Sequence, residues 1–430
     1  MSKIYMSSIL LHPVIYYILQ NIASIVIVGF TSPTSLIRHA ALPPMLLCNW
    51  ILIPMYLEET GSKLAAGLLC VGVTCNLLGY VDTALLRKWS FEAGGPSAGL
   101  ATQQPTKEKS ESTSRVAPQR LDDSGTQRLR FGYFAVFSSR YCGSPYEVPH
   151  VPPFDYKNPT YVPSRVEFFR NKAQIILLSY VSLDLVEATA RPELNRILFA
   201  PQRIAFLDVN NLSIEHLAIR IISTLGFWAV FYNIIQLLFS ASAIILVATD
   251  IDDPKDWPPI FGQWSEVYTL RGFWSYFWHQ LIRSRFVVLP ELIVYKIFRL
   301  RRGRLLTRYT NLFLVFLASG IFHLLIDIAQ GLPFAESGSI KYYCLQALGI
   351  MLEDGVQAVY RSLYGLKRDA AQPPSLIVKL VGYAWVLSFF VLFTPMWLYP
   401  TAYRNNGEEI DRILPFSIIN YRLDKITRTV

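Results

Sequence analysis

Residues 312–329 read LFLVFLASGIFHLLIDIA. Every position is apolar except Ser319, Gly320, His323 and Asp327. At a rise of about 1.5 Å per residue, about 20 apolar residues in a helix cross a hydrocarbon layer of about 30 Å, so this stretch predicts a membrane span. An ionisable group inside such a span is costly and usually faces a cavity or the interior of a bundle. His323 therefore reads either as a neutral, hydrogen-bonded packing residue or as a working group. Ser319 and Gly320, four and three residues earlier, share its helix face, and small residues there leave room for a neighbouring helix or a substrate. Asp327 follows four residues later, where it would orient the imidazole or mark the aqueous end of the span.

Outward from this stretch, further apolar windows cover 8–30, 42–57, 64–81, 218–248, 342–360 and 376–399, with two shorter ones at 173–185 and 286–298 that are spans or interfacial helices. The expected fold is all-α: a polytopic transmembrane helical bundle of about seven to nine spans, with any reaction chamber inside the membrane. Composition agrees, with 52% hydrophobic and 17% charged residues, against about 25% charged in an ordinary soluble domain. No cleavage pattern follows the first window, which is read as retained. The net charge of +9 comes from residues that punctuate apolar spans, a positive-inside pattern rather than a nucleic-acid face, so no nucleic-acid partner is expected. Cys48, Cys70, Cys75, Cys142 and Cys344 form no CxxC or Cys/His cluster and read as packing, with no metal. No repeat, Gly-rich nucleotide loop or Gly-x-Ser-x-Gly elbow is present.

Five regions follow: N-terminal transmembrane helices at 1–86, a polar loop at 87–127 expected to be disordered, an ordered aromatic and Pro-rich segment at 128–172, a membrane core at 173–400 and a polar tail at 401–430. Between two apolar windows, residues 249–285 read TDIDDPKDWPPIFGQWSEVYTLRGFWSYFWHQLIRSR, with four tryptophans including Trp274 and Trp278. Such aromatics settle at a membrane interface or line a pocket. If 270–283 is helical, Arg271, Trp274 or Ser275, Trp278 or His279, and Ile282 follow one face. The run 296–308, KIFRLRRGRLLTR, carries six cations. It fits a cytosolic positive-inside loop, and its guanidinium groups also suit phosphate recognition.

The stretch DWPPIFGQWSEVYTLRGFWSYFWHQLIRSR at 256–285, followed by ASGIFHLL at 318–325, resembles the wax synthase-like branch of the membrane-bound O-acyltransferase family. SSRYCGSPYEVPHVPP at 138–153 is similar to a segment of fungal members that acetylate terpenoid or meroterpenoid metabolites, trichothecene acetyltransferases among them. The resemblance covers roughly residues 128–399. It implies a multi-pass enzyme of the endoplasmic reticulum that moves acetyl from acetyl-CoA, a co-substrate rather than a bound cofactor, to a hydroxyl of an apolar acceptor. It also implies that His323 is the general base and His279 a second catalytic residue, at a position where the sterol and diacylglycerol branches carry Asn. On this reading Arg283, Arg285, Arg301, Arg302 and Arg304 meet coenzyme A, while Trp274, Trp278, Ser319 and Asp327 line the acceptor pocket. A long-chain acyl-CoA donor, giving wax or sterol esters, is an alternative, and a non-catalytic transporter a further one. Asn211 opens an Asn-Leu-Ser sequon.

Overall fold

The structure, a computed structural model, describes residues 12–95, 124–205, 213–363, 374–408 and 411–420. Most of the loop expected to be disordered, the Asn211 sequon and, in the polar tail, residues 409–410 and 421–430 lie outside them. The described residues are helical and hold no strand, only an isolated bridge between Ser90 and Gly94. Among the described residues six helices are long and apolar enough to cross a membrane: α1 (Pro13–Phe30), Leu36–Thr60, a span at Lys63–Leu86 that opens with α2 (Lys63–Tyr80), and three described below. A seventh is reached if Arg165–Thr189 and Pro192–Leu198, bent by 56°, form one broken span. The count thus meets only the lower end of the expected seven to nine. The 342–360 window does form a helix, but Gln346, Glu353 and Asp354 make it less apolar than the six. The 286–298 window folds into the short pieces Arg283–Leu292 and Ile293–Ile297.

The chain divides into two compact units. The first comprises 1–52, 72–148 and 282–285. Here α1 lies against α3 (Gly125–Phe137). Buried polar side chains fasten its apolar helices: Gln20 Nε2 donates to Asn76 Oδ1 at 2.8 Å, and Asn76 Nδ2 to Asn21 Oδ1 at 2.8 Å. Hydrogen bonds of this kind join helices where apolar burial alone gives no preference over lipid. Arg38, fully buried, donates to the carbonyls of Trp89 and Thr31, each at 2.8 Å.

The second unit comprises 53–71, 149–281 and 286–430. In it α4 (Arg165–Thr189) packs along α5 (Ile214–Ala248). Serine caps set both starts, Ser164 accepting from Glu167 N and Ser213 from His216 N. Next come α6 (Leu305–Ala329), α7 (Ser339–Leu363), α8 (Leu376–Phe393) and α9 (Pro395–Tyr403). Proline lacks an N–H, so Pro395 cannot bond the carbonyl four residues back, that of Val391. Arg220 of α5 supplies the missing donor: its Nε lies 3.4 Å from Val391 O, its Nη2 2.7 Å from Leu392 O and its Nη1 2.8 Å from Arg203 O. One guanidinium thereby joins α5 to the break between α8 and α9.

The helix that carries His323 makes its broadest contact with α7. Gly320 sets the spacing, since a Cβ there would stand 2.8 Å from Ile340 Cα and 3.3 Å from Tyr343 Cβ. Ser339 Oγ, fully buried, closes the same approach by donating to Gly320 O at 3.2 Å.

Two outcomes follow. Arg220→Met leaves buried carbonyls without a donor, at about 1–3 kcal/mol for each group stranded, so the detergent-solubilised variant should unfold at a clearly lower temperature than wild type. Gly320→Val, whose added carbons meet backbone rather than a movable side chain, should do the same, while Ile321→Val on the exposed face of α6 should leave the melting point unchanged.

Candidate active site

His323 is half-buried and lies among the rings of Phe322, Tyr343 and Trp397. Nδ1 lies 2.8 Å from the carbonyl oxygen of Ser319, one turn earlier on α6. A carbonyl only accepts, so Nδ1 carries the proton of the neutral imidazole and Nε2 presents the lone pair. That lone pair accepts from the phenol of Tyr343 on α7, 3.0 Å away. The two rings stack at 4.5 Å between centroids and 24° between planes, and Trp397 of α9 meets the imidazole edge-on at 5.0 Å. Ser319 thus reaches the site through its carbonyl, and its hydroxyl stands beside the Tyr343 phenol.

Asp327 shares the helix face of His323 but hydrogen-bonds elsewhere. Its carboxylate accepts from Ser337 Oγ at 2.5 Å and from Trp397 Nε1 at 3.3 Å, and it is 4% exposed. Its influence on the imidazole runs through the ring of Trp397, which it holds in place. Arg404 secures the α6–α7 loop from outside, donating to both oxygens of Glu336 at 2.8 and 2.6 Å; these hydrogen bonds hold the Glu336 carboxyl below the usual range.

The tryptophan-rich motif packs beside the His323–Tyr343 pair of rings. Thr269 caps a short helix, Leu270–Gly272, which continues as a π-helical turn, Phe273–Phe277, and stops at Trp278. The continuous helix considered for 270–283 therefore ends early. Glu353 of α7 takes the backbone N–H groups of Leu270 and Arg271 at 3.0 and 3.2 Å. Asp354 binds the Arg271 guanidinium at 3.2 and 2.6 Å and also pairs with Arg308. These carboxylates set the motif's register against α7. Trp274 then lies 5.9 Å from Tyr343 and donates to Gln346 Oε1 at 3.1 Å. Gln346 is fully buried, and its Nε2 has no hydrogen-bond partner among the described residues. The motif's last tryptophan, Trp278, lies 6.4 Å from Trp274 and 5.3 Å from the ring of His279.

His323, Tyr343, Ser319, Trp397, Trp274 and Gln346 are thereby assembled in one unit, with Trp278 one ring further out. His279 packs against the rings of Phe261 and Trp278, at 6.2 and 5.3 Å between centroids. Arg301, Arg302 and Arg304 are exposed in the connection before α6, with Arg302 over the ring of Tyr295 at 4.7 Å. Arg283 and Arg285 belong to the first unit. Arg285 is 4% exposed, its guanidinium taken up by Val136 O at 2.7 Å and Tyr141 Oη at 3.1 Å, so this cation holds the fold of its own unit. Sequence reasoning missed Tyr343, Gln346 and Trp397. The α7 polar stripe, Ser339, Tyr343, Gln346 and Glu353 at helical spacing, was the one available signal for the first two.

Residues 257–345, which include His279, His323 and Tyr343, match the Membrane bound O-acyl transferase family. The chain is 29% identical to acetyltransferase fsoF of Humicola fuscoatra over 92% of this chain and 97% of that protein. It is 30% identical to acetyltransferase aurG of Calcarisporium arbuscula over 87% and 89% of the two chains. With acetyltransferase TRI7 of Fusarium sporotrichioides it shares 29% identity over 61% and 62%. These likenesses span most of two relatives, and the matched segment encloses the intramembrane histidine and its phenol partner: the chain belongs to the membrane bound O-acyl transferase family and is a multi-pass membrane acyltransferase.

Proposed function

We propose that this acyltransferase moves acetyl from acetyl-CoA to a hydroxyl of an apolar secondary metabolite, a terpenoid or meroterpenoid, in the endoplasmic reticulum membrane, with His323 as general base. The observation that carries the proposal is a neutral imidazole inside an apolar span, its Nδ1–H tied to Ser319 O and its Nε2 lone pair turned toward an aromatic interior. An alcohol attacks a thioester slowly unless its proton leaves as the bond forms, and base catalysis of this kind contributes about 10²- to 10⁴-fold. The oxygen–acyl carbon bond forms, the carbon–sulfur bond breaks, and the proton collected at His323 returns to the departing thiolate.

The names of the relatives support acetyl as the transferred group. The wall of Trp274, Phe316, Trp397 and Tyr342 suits a rigid apolar acceptor better than a polar one. Asp327 acts through Trp397, and His279 lines the outer wall. The exposed Arg301, Arg302 and Arg304 precede the N-terminus of α6, where helix dipole and guanidinium groups together favour the phosphates of coenzyme A.

Wild type and His323→Ala, expressed in a host without related activity, are supplied as microsomes with acetyl-CoA and a panel of hydroxylated terpenoids. Mass spectrometry should detect a gain of one acetyl group with wild type and none above background with the variant. Product from the variant at a comparable rate removes His323 as base, and transfer only from long-chain acyl-CoA replaces acetyl by a fatty acyl group. His279→Ala should lose less activity than His323→Ala, because the ring contacts of His279 are with Phe261 and Trp278 and not with the His323–Tyr343 pair.

A further inference from the structure

We infer that Tyr343 is a proton-relay residue of the transfer step, standing between the acceptor's hydroxyl and His323; the inference rests on His323 being the base. A neutral imidazole has one lone pair to offer, and here Nε2 already uses it on the Tyr343 O–H at 3.0 Å. The other ring nitrogen is committed to Ser319 O at 2.8 Å. The imidazole therefore has no accepting position left for an alcohol. Direct deprotonation by Nε2 requires the phenol to move away, and its surroundings oppose that movement. Tyr343 is 3% exposed, its ring is stacked on the imidazole, and Tyr342, Trp397 and Trp274 bound it at 5.3, 5.5 and 5.9 Å. Moving it would break that packing on several sides.

A phenol oxygen both accepts and donates. The acceptor's hydroxyl donates to Tyr343 Oη while the phenol's own proton passes to His323 Nε2, so the phenol keeps its place on the imidazole. The Ser319 hydroxyl already interacts with Oη, an instance of this phenol oxygen meeting a hydroxyl while it faces His323. The step balances. The alcohol's O–H bond breaks as its oxygen–acyl carbon bond forms, one proton moves onto Oη and another from Oη onto Nε2, and the carbon–sulfur bond breaks. The proton on Nε2 then retraces the path to the thiolate sulfur, leaving an ester, free coenzyme A thiol, and Tyr343 and His323 as they began. The anchored Nδ1–H lets the ring take up the charge without turning.

The test compares wild type, His323→Ala and Tyr343→Phe, each checked for an unchanged size-exclusion profile in detergent. Tyr343→Phe keeps the ring, its stacking and its volume and removes only the relaying oxygen. Its kcat should fall about 100-fold or more, with KM for acetyl-CoA and for the acceptor within about threefold of wild type, the signature of an interaction made in the transition state alone. A proton inventory in mixtures of H2O and D2O is the second readout. Wild type should give a curved dependence on deuterium fraction, from two protons in flight, and Tyr343→Phe a linear one. A purely structural role for the phenol would not produce that change. Tyr343→Phe at a kcat within about threefold of wild type, or a linear wild-type inventory, overturns the relay. Activity surviving in His323→Ala instead overturns the base on which the relay rests, so the two failures are told apart. If Tyr343→Phe does not fold, the curvature of the wild-type inventory alone decides.

Discussion

The candidate site depends on the close approach of α6 and α7 at Gly320. A helix surface normally holds its neighbour 8–10 Å away between axes, and small residues bring backbones nearer. At Gly320 even one methyl group would press on the backbone of Ile340. Because the helices close there, Tyr343, one turn along α7 from Ser339, arrives within 3.0 Å of His323 Nε2, three residues along α6. The site's hydrogen bonds therefore come from helix geometry: i to i+4 on α6 fixes Nδ1 on Ser319, and the crossing of two helices fixes Nε2 on Tyr343. Side chains projected from packed helices hold such spacings more closely than loops do, which suits a proton path.

A second constraint is the apolar surround, which makes every buried polar group dependent on a protein partner. The chain meets it with arginines that bond carbonyls instead of carboxylates. Arg38 in the first unit and Arg220 in the second each spread one guanidinium over several backbone oxygens at helix ends or breaks, and Arg285 spans the Val136 carbonyl and the Tyr141 phenol. Five donors in a planar fork suit that task, and lysine, with a point charge and three donors, does not. Arg285 shows how sequence position can mislead. It stands in a basic run near the aromatic motif, yet its burial and carbonyl partners give it a structural task.

Much of the fold was legible because membrane spans depend on a local property, the length of an apolar run. Windows at 8–30, 42–57, 64–81, 218–248, 312–329 and 376–399 all correspond to helices long and apolar enough to cross. Legibility failed where the local property was mixed. The helix at Ser339–Leu363 carries Gln346, Glu353 and Asp354, each engaged with the tryptophan-rich motif or its flanking arginine, so its hydropathy reflects service to the site as much as depth. The same residues fix the start of the motif helix, and its end comes from the turn that follows. Glu353 binds its first N–H groups, and the wide turn at Phe273–Phe277 carries Trp278 out of the helical register.

The site was half legible, for a related reason. His323 stands out because an imidazole in an apolar span is rare and costly. Ser319 and Gly320 follow from helical periodicity on the same face. Tyr343 gives no such signal, since tyrosines are common near membrane interfaces and KYYC matches no motif. Its place opposite Nε2 exists only once α7 is laid on α6. Trp397 is more remote still: its indole, on α9, touches both Asp327 and His323 of α6, so in place of a direct carboxylate–imidazole pair, one of the two readings of Asp327, stands a carboxylate–indole hydrogen bond with the imidazole edge-on to the indole. That substitution has chemical sense. A carboxylate directly on the imidazole would put a full negative charge beside the base in a medium that screens charge poorly, whereas Trp397 transmits the position of Asp327 without its charge. Nδ1 is left to a neutral carbonyl, and Nε2 is the nitrogen that faces the proton path.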